Sequence, residues 1–207
     1  MISSNLKRSF NITIIGLISI EFLIGVIALL KVDNILFTTS VFWIDYFVYP
    51  LQIIKGVAIF SLVRHLHDQI NTYYKAQKGL NFVGNLSAPL VALGAVLLLL
   101  LRMKIEGGAA FNVLPYYIVG WIGVVVFAIW IFNISRSLRF LNLISSTTYL
   151  LAAFLSIVLL ILVVGEFVLV AFSNGSIQLL HFLQVCGVLV SVLGVSYYVF
   201  LHRSLTR

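Results

Sequence analysis

Polar residues in this chain come in short groups separated by long, nearly unbroken apolar runs. Neither the alternation of a half-buried strand nor the stripe of a surface helix describes it. Six runs stand out, at 10–30, 41–63, 86–101, 113–134, 148–172 and 177–201. A helix that crosses a bilayer needs about 20 mostly apolar residues, because its backbone polar groups must be satisfied within the segment. The runs end where that requirement predicts: Lys7 and Arg8 precede the first, Lys31 closes it, Arg64 ends the second, and Ser173-Asn174-Gly175-Ser176 makes a turn between the last two. The pattern predicts an all-α, polytopic bundle of six transmembrane helices. These form three hairpins with short loops, and the whole chain, 1–207, is one domain.

Composition supports this class. Of 207 residues, 62% are apolar and only 9% charged, with 13 basic and 6 acidic side chains, and mean hydropathy is +1.15. A soluble domain carries about 25% charged residues to keep its surface wetted, so soluble enzymes, nucleic-acid binders and disordered chains are excluded. The implied partner is the lipid bilayer, not nucleic acid. The net charge of +7 follows from loop basicity, since cytoplasmic loops accumulate Lys and Arg. With the N-terminus inside, that side holds Lys7, Arg8, Arg64, Lys75, Lys78, Arg136, Arg139, Arg203 and Arg207, against Lys31, Arg102 and Lys104 outside. Both termini are therefore expected in the cytoplasm, and the membrane would be the plasma membrane in a prokaryote. Trp43, Tyr46 and Tyr49, and Tyr116, Tyr117 and Trp121, suit outer aromatic belts. The first run is too long for the core of a signal peptide and reads as a retained span.

Helices in lipid associate through small residues that let backbones approach. Ala88, Ala92 and Ala95 share one face of the third span, and Gly187, Ser191 and Gly194 one face of the sixth. Both are expected packing seams. Pro50 removes a backbone donor inside the second span and predicts a kink. A threefold hairpin repeat is suggested by Arg64-His65-Leu66, Arg136-Ser137-Leu138 and Arg203-Ser204-Leu205 after the even spans. Asn5-Leu6, Asn85-Leu86 and Asn142-Leu143 precede the odd ones. The intramembrane charges do not follow it.

Those charges are the candidate site, because an ionisable group in hydrocarbon is costly. Glu21 lies about 20 Å from Arg8 and about 15 Å from Lys31 at 1.5 Å per helical residue. Lys55 lies about 13 Å from Arg64 on the next, antiparallel span. Side chains lean toward the helix N-terminus, which brings the two heads to one depth, and a Glu21–Lys55 ion pair is expected. Nearer the outer side, Asp45, Glu166 and His181 are expected to form a protonatable cluster, with Glu166 meeting His181 across the last hairpin.

Other chemistry is not supported. His65 and His202 are the one pair of histidines on a common side for a haem. His65 and His67 point nearly opposite ways on a helix and read as snorkelling interfacial groups. Leu66, Ile70 and Tyr73 suggest an amphipathic continuation lying at the headgroups. Cys186, the lone cysteine, reads as a buried thiol. No catalytic residue, metal site or cofactor is expected. Two functions are consistent with these residues. One is a structural or accessory subunit that packs with other membrane proteins or with itself; the other is a small transporter or channel moving protons or ions along Glu21, Lys55, Asp45 and Glu166.

Overall fold

The computed structural model describes residues 4–32, 42–73, 78–106, 114–171 and 177–206. Over these, every regular element is helical: α1 (Ser4–Val32), α2 (Phe42–Tyr73), α3 (Lys78–Glu106), α4 (Leu114–Phe140), α5 (Ser146–Ala171) and α6 (Ile177–Thr206). Each contains a stretch long and apolar enough to cross a membrane. The outward surface is apolar, with Phe47, Val57, Phe82, Phe140 and Val164 between 62% and 77% exposed.

The helices outrun their apolar stretches, most of all in α2, which continues past residue 63 to Tyr73. That extension does not lie flat as an interfacial helix. Leu66 is 0% and Ile70 7% exposed, both packed in the core. Leu66 and Ile70 therefore face the bundle, in one core cluster with Phe10 of α1 and Trp130, Ile134 and Leu138 of α4; the side chain of Tyr73 lies outside the described residues. His65 and His67 are buried with it and do not snorkel. On opposite faces of α2, His65 shares a hydrogen bond with Ser9 of α1 at 3.2 Å, and His67 Nε2 accepts one from Trp130 Nε1 of α4 at 3.5 Å.

Among the described residues, each helix packs on its neighbours in the chain, and α6 closes the ring on α1. Contacts between α2 and α3 and between α4 and α5 belong to this ring as fully as those within the expected hairpins. The Asn-Leu pairs of the proposed repeat occupy unlike places: Asn5 in the first turn of α1, Asn85 inside α3, and Asn142 in a loop. Asn142 has φ 57°, and its amide donates to the Arg139 carbonyl at 2.9 Å while that of Leu143 reaches Leu138 at 2.9 Å. This is the helix-ending arrangement that needs a left-handed residue, which Asn tolerates. Ser145 then caps α5, accepting from the Thr148 amide at 3.2 Å. The Asn142-Leu143 pair is thus local loop chemistry.

Close approach sets the spacing of the ring. The Ala88 and Ala92 face of α3 packs on α2 at Gly56, where a Cβ would lie 2.8 Å from that of Ala92. Ser191 and Gly194 of α6 face α1, with Gly25 opposite Ser191 and Glu21 opposite Gly194. Gly187 makes no such contact: a Cβ there would meet nothing within 4 Å, because it lines the cavity described below. The closest backbone-to-backbone approach at a described glycine is between α3 and α4, where a Cβ on Gly94 would stand 2.5 Å from the Gly120 Cα and one on Gly123 2.8 Å from the Leu90 carbonyl carbon.

Gly94→Ala should therefore force α3 and α4 apart at a cost of about 1–3 kcal/mol. Gly16→Ala, with nothing within 4 Å of its new Cβ, should be neutral or stabilising by up to about 1 kcal/mol. Unfolding of the purified protein in mixed micelles with increasing dodecyl sulfate measures both, and equal stability of the two variants would refute the close contact.

Candidate functional site

Packing is unequal along the bundle. At the end that holds α2's C-terminus and the α4–α5 loop, Trp130, Ile134, Leu138, Tyr197, Tyr198 and Leu201 are each 0% exposed. Ser135 and Tyr197 share a hydrogen bond there at 3.0 Å, and the Ser156 hydroxyl donates to the Ala128 carbonyl at 3.0 Å. Toward the other end, where α2 and α4 begin, the helices surround a cavity of about 290 Å³ to which all six contribute. Ile59, Phe127 and Leu155 form its floor and join it to the packed core.

The polar groups of this wall are few. Glu21 of α1 and Lys55 of α2 are brought together, Oε1 to Nζ, at 2.5 Å. Both are buried, at 3% and 9% exposure, and both line the cavity. The α1–α2 face positions them: Ser9 to His65, Thr13 to Ser61 at 3.0 Å, and Glu21 to Lys55 form three polar links up one interface. Gly194 makes room for the carboxylate, since a Cβ there would stand 3.2 Å from the Glu21 Cδ. Glu21 Oε2 and the Ser191 hydroxyl have no hydrogen-bond partner among the described residues.

Glu166 of α5 lines the same cavity, and its partner is not His181. Trp121 Nε1 of α4 donates to its Oε2 at 2.9 Å. The reason is helical register. Gly165 is the residue that meets α6, where its Cβ would run into Leu183, and the next residue turns about 100° away from that helix. His181 is half-buried and lies outside the cavity wall. The Asp45 side chain lies outside the described residues, so the expected outer cluster is represented here by Glu166 alone.

Trp121 is the cavity residue that its sequence pattern misplaced. It is 8% exposed, not part of an outer belt, and is held between Tyr117, 5.6 Å away centroid to centroid, and Phe167 at 5.7 Å. Tyr49 and Tyr117 also turn inward to the cavity. The missed signal was depth, because Trp121 and Glu166 lie at similar distances from their helix ends.

At the packed end Phe10 stands between His65 and His202, with ring centroids 6.0 Å and 6.5 Å away. His202 is hydrogen-bonded to Asn11 at 3.1 Å. Among the described residues, no group of three or more His, Cys, Asp or Glu side chains is placed to hold a metal ion. Cys186 is buried and free. Comparison of the chain with family models, curated proteins and solved structures finds no match.

Lys55→Met should cost about 3–5 kcal/mol by leaving Glu21 buried without its cation, and the double variant with Glu21→Leu should recover most of that loss. A double-mutant cycle on unfolding in micelles reads the coupling; additive single effects would show that the pair contributes none. Glu166→Gln keeps an acceptor for Trp121 and should stay within about 1 kcal/mol of wild type. Glu166→Leu strands the indole N–H and should cost about 1–3 kcal/mol in the same assay.

Proposed function

We propose that this chain is a six-span integral membrane protein, with both termini cytoplasmic, that moves protons or small cations through its central cavity. The observation that carries the reading is that the Glu21–Lys55 pair and Glu166, which come from three different helices, all face one internal space. Ionisable groups that serve only to lock helices together need no shared cavity.

The wall around them is largely aliphatic and glycine, so charge in the cavity is weakly screened and strongly felt. Glu166 is nearer the end where α2 and α4 begin and, for entry from that side, meets an incoming cation or proton first, with the Trp121 N–H holding its carboxylate in one orientation. Glu21 lies deeper, neutralised by Lys55. A proton or cation delivered to Glu21 competes with Lys55 for the carboxylate and frees the ammonium. The site therefore alternates between two states: a neutral internal pair, and a loaded Glu21 with Lys55 displaced, which carries one net positive charge.

The packed end favours a carrier over an open channel. Trp130, Tyr197 and Leu201, each 0% exposed, pack the space beyond the cavity floor, so in this reading passage requires that end to loosen when Lys55 is displaced. Catalysis has no part in this reading.

Purified protein reconstituted into phosphatidylcholine vesicles with an internal pH-sensitive dye should dissipate an imposed pH or cation gradient. Glu21→Gln and Glu166→Gln should each slow this about tenfold or more, the effect of about 1.4 kcal/mol or more on the passage barrier. Wild-type vesicles no leakier than empty ones, from protein that purifies with stoichiometric membrane partners, would replace transport with the accessory-subunit role.

A further inference from the structure

The ring carries a second recess on its outer face, along the seam where α6 closes on α1. It is a trough of about 280 Å³, walled by Phe22, Val26 and Leu29 of α1 and by Val188, Val192 and Val195 of α6. Phe22 at 62% and Val192 at 57% exposure mark its outer rim. Its base is formed by Gly25, Glu21 and Ser191, the last two also lining the central cavity. From Glu21 to Leu29 the trough runs about 12 Å along α1.

Two polar groups at this base are buried and, among the described residues, unanswered. Glu21 is 3% exposed, and its Oε2 accepts nothing while Oε1 is taken by Lys55. Ser191 is also 3% exposed, and its hydroxyl is likewise unpartnered. A helical serine ordinarily spends its hydroxyl on the carbonyl four residues back, as Ser137, Ser156 and Thr206-like donors do elsewhere in this chain. Ser191 does not. Residues carrying a spare acceptor and a spare donor thus both line the foot of one apolar trough, and unsatisfied buried groups of this kind are costly.

We propose that the trough binds a single-chain aliphatic alcohol from the bilayer, with its hydroxyl donating to Glu21 Oε2 and accepting from Ser191. The hydroxyl is the head group that satisfies one acceptor and one donor at once. It adds no charge beside a pair that is already balanced, whereas an amine would add a cation and a carboxylate an anion. The aliphatic wall takes the tail, and the exposed rim opens the trough to lipid. The proposal rests on the membrane-spanning reading above and gives Glu21 a ligand on its lipid side as well as in the cavity.

The test is photolabelling of the full chain in phosphatidylcholine nanodiscs with decanol carrying a diazirine in mid-chain, beside the same probe without the hydroxyl, read by peptide mass spectrometry. Label should concentrate on residues 22–29 and 188–195, be displaced by excess decanol, and exceed that of the hydrocarbon by about twenty-fivefold, the preference two hydrogen bonds give. Ser191→Ala should lower it about fivefold, as loss of one such bond does. Val192→Trp, which fills the trough at its exposed rim, should abolish it even if the serine variant folds poorly. Equal labelling by both probes, or label spread over all six helices in proportion to exposure, overturns the proposal and assigns the two groups to water or to packing alone. Labelled trough without vesicle flux keeps the alcohol site and removes transport; flux with evenly spread label does the reverse.

Discussion

A carboxylate at 3% exposure among aliphatic side chains is unfavourable by several kcal/mol unless a cation answers it, and Lys55 answers Glu21 at 2.5 Å. Much of the surrounding geometry serves that contact. α1 and α2 must lie in one register, which the links from Ser9 to His65 and from Thr13 to Ser61 share. α6 must approach closely yet leave room for the acid, which Gly194 provides. The ring closure between α6 and α1 then flanks the pair, and the cavity receives it from within.

The second organising feature is the difference between the two ends of the bundle. Large side chains, Trp130 and Tyr197 above all, fill the space between helices at one end. Glycine and alanine at Gly94, Ala95, Gly120 and Gly187 line the other. Small residues act in two ways here. Where they face a neighbouring backbone, as Gly94 faces Gly120, they draw helices together; where they face the axis, as Gly187 does, they leave volume unfilled. The cavity is the second effect, and the polar groups that reach it are those whose helices bring them there.

Much of this was legible in the order of residues. Six helices follow from run length alone, because a backbone with no water to bond must bond itself. The pairing of Glu21 with Lys55 was readable from depth and from the lean of side chains on antiparallel neighbours, since a connection between adjacent helices limits who can meet whom. Azimuth was harder to read. The partner of Glu166 depended on which way α5 is turned, and because Gly165 takes the α6 side, Trp121 and not His181 answers the acid. The same ignorance of rotation misassigned Leu66 and Ile70 to a headgroup surface when they face the core.

The sequence by itself determined the number of helices, their apolar exterior and the approximate depth of each charge, because these depend on one-dimensional spacing and a fixed rise per residue. Only the tertiary structure decided that six helices close into a ring, that the ring is filled toward one end and encloses a cavity toward the other, and that Glu21, Lys55 and Glu166 share one space. Those outcomes depend on the rotation of each helix about its axis, which is set by the simultaneous fit of several neighbours and leaves no mark in the spacing of any single run.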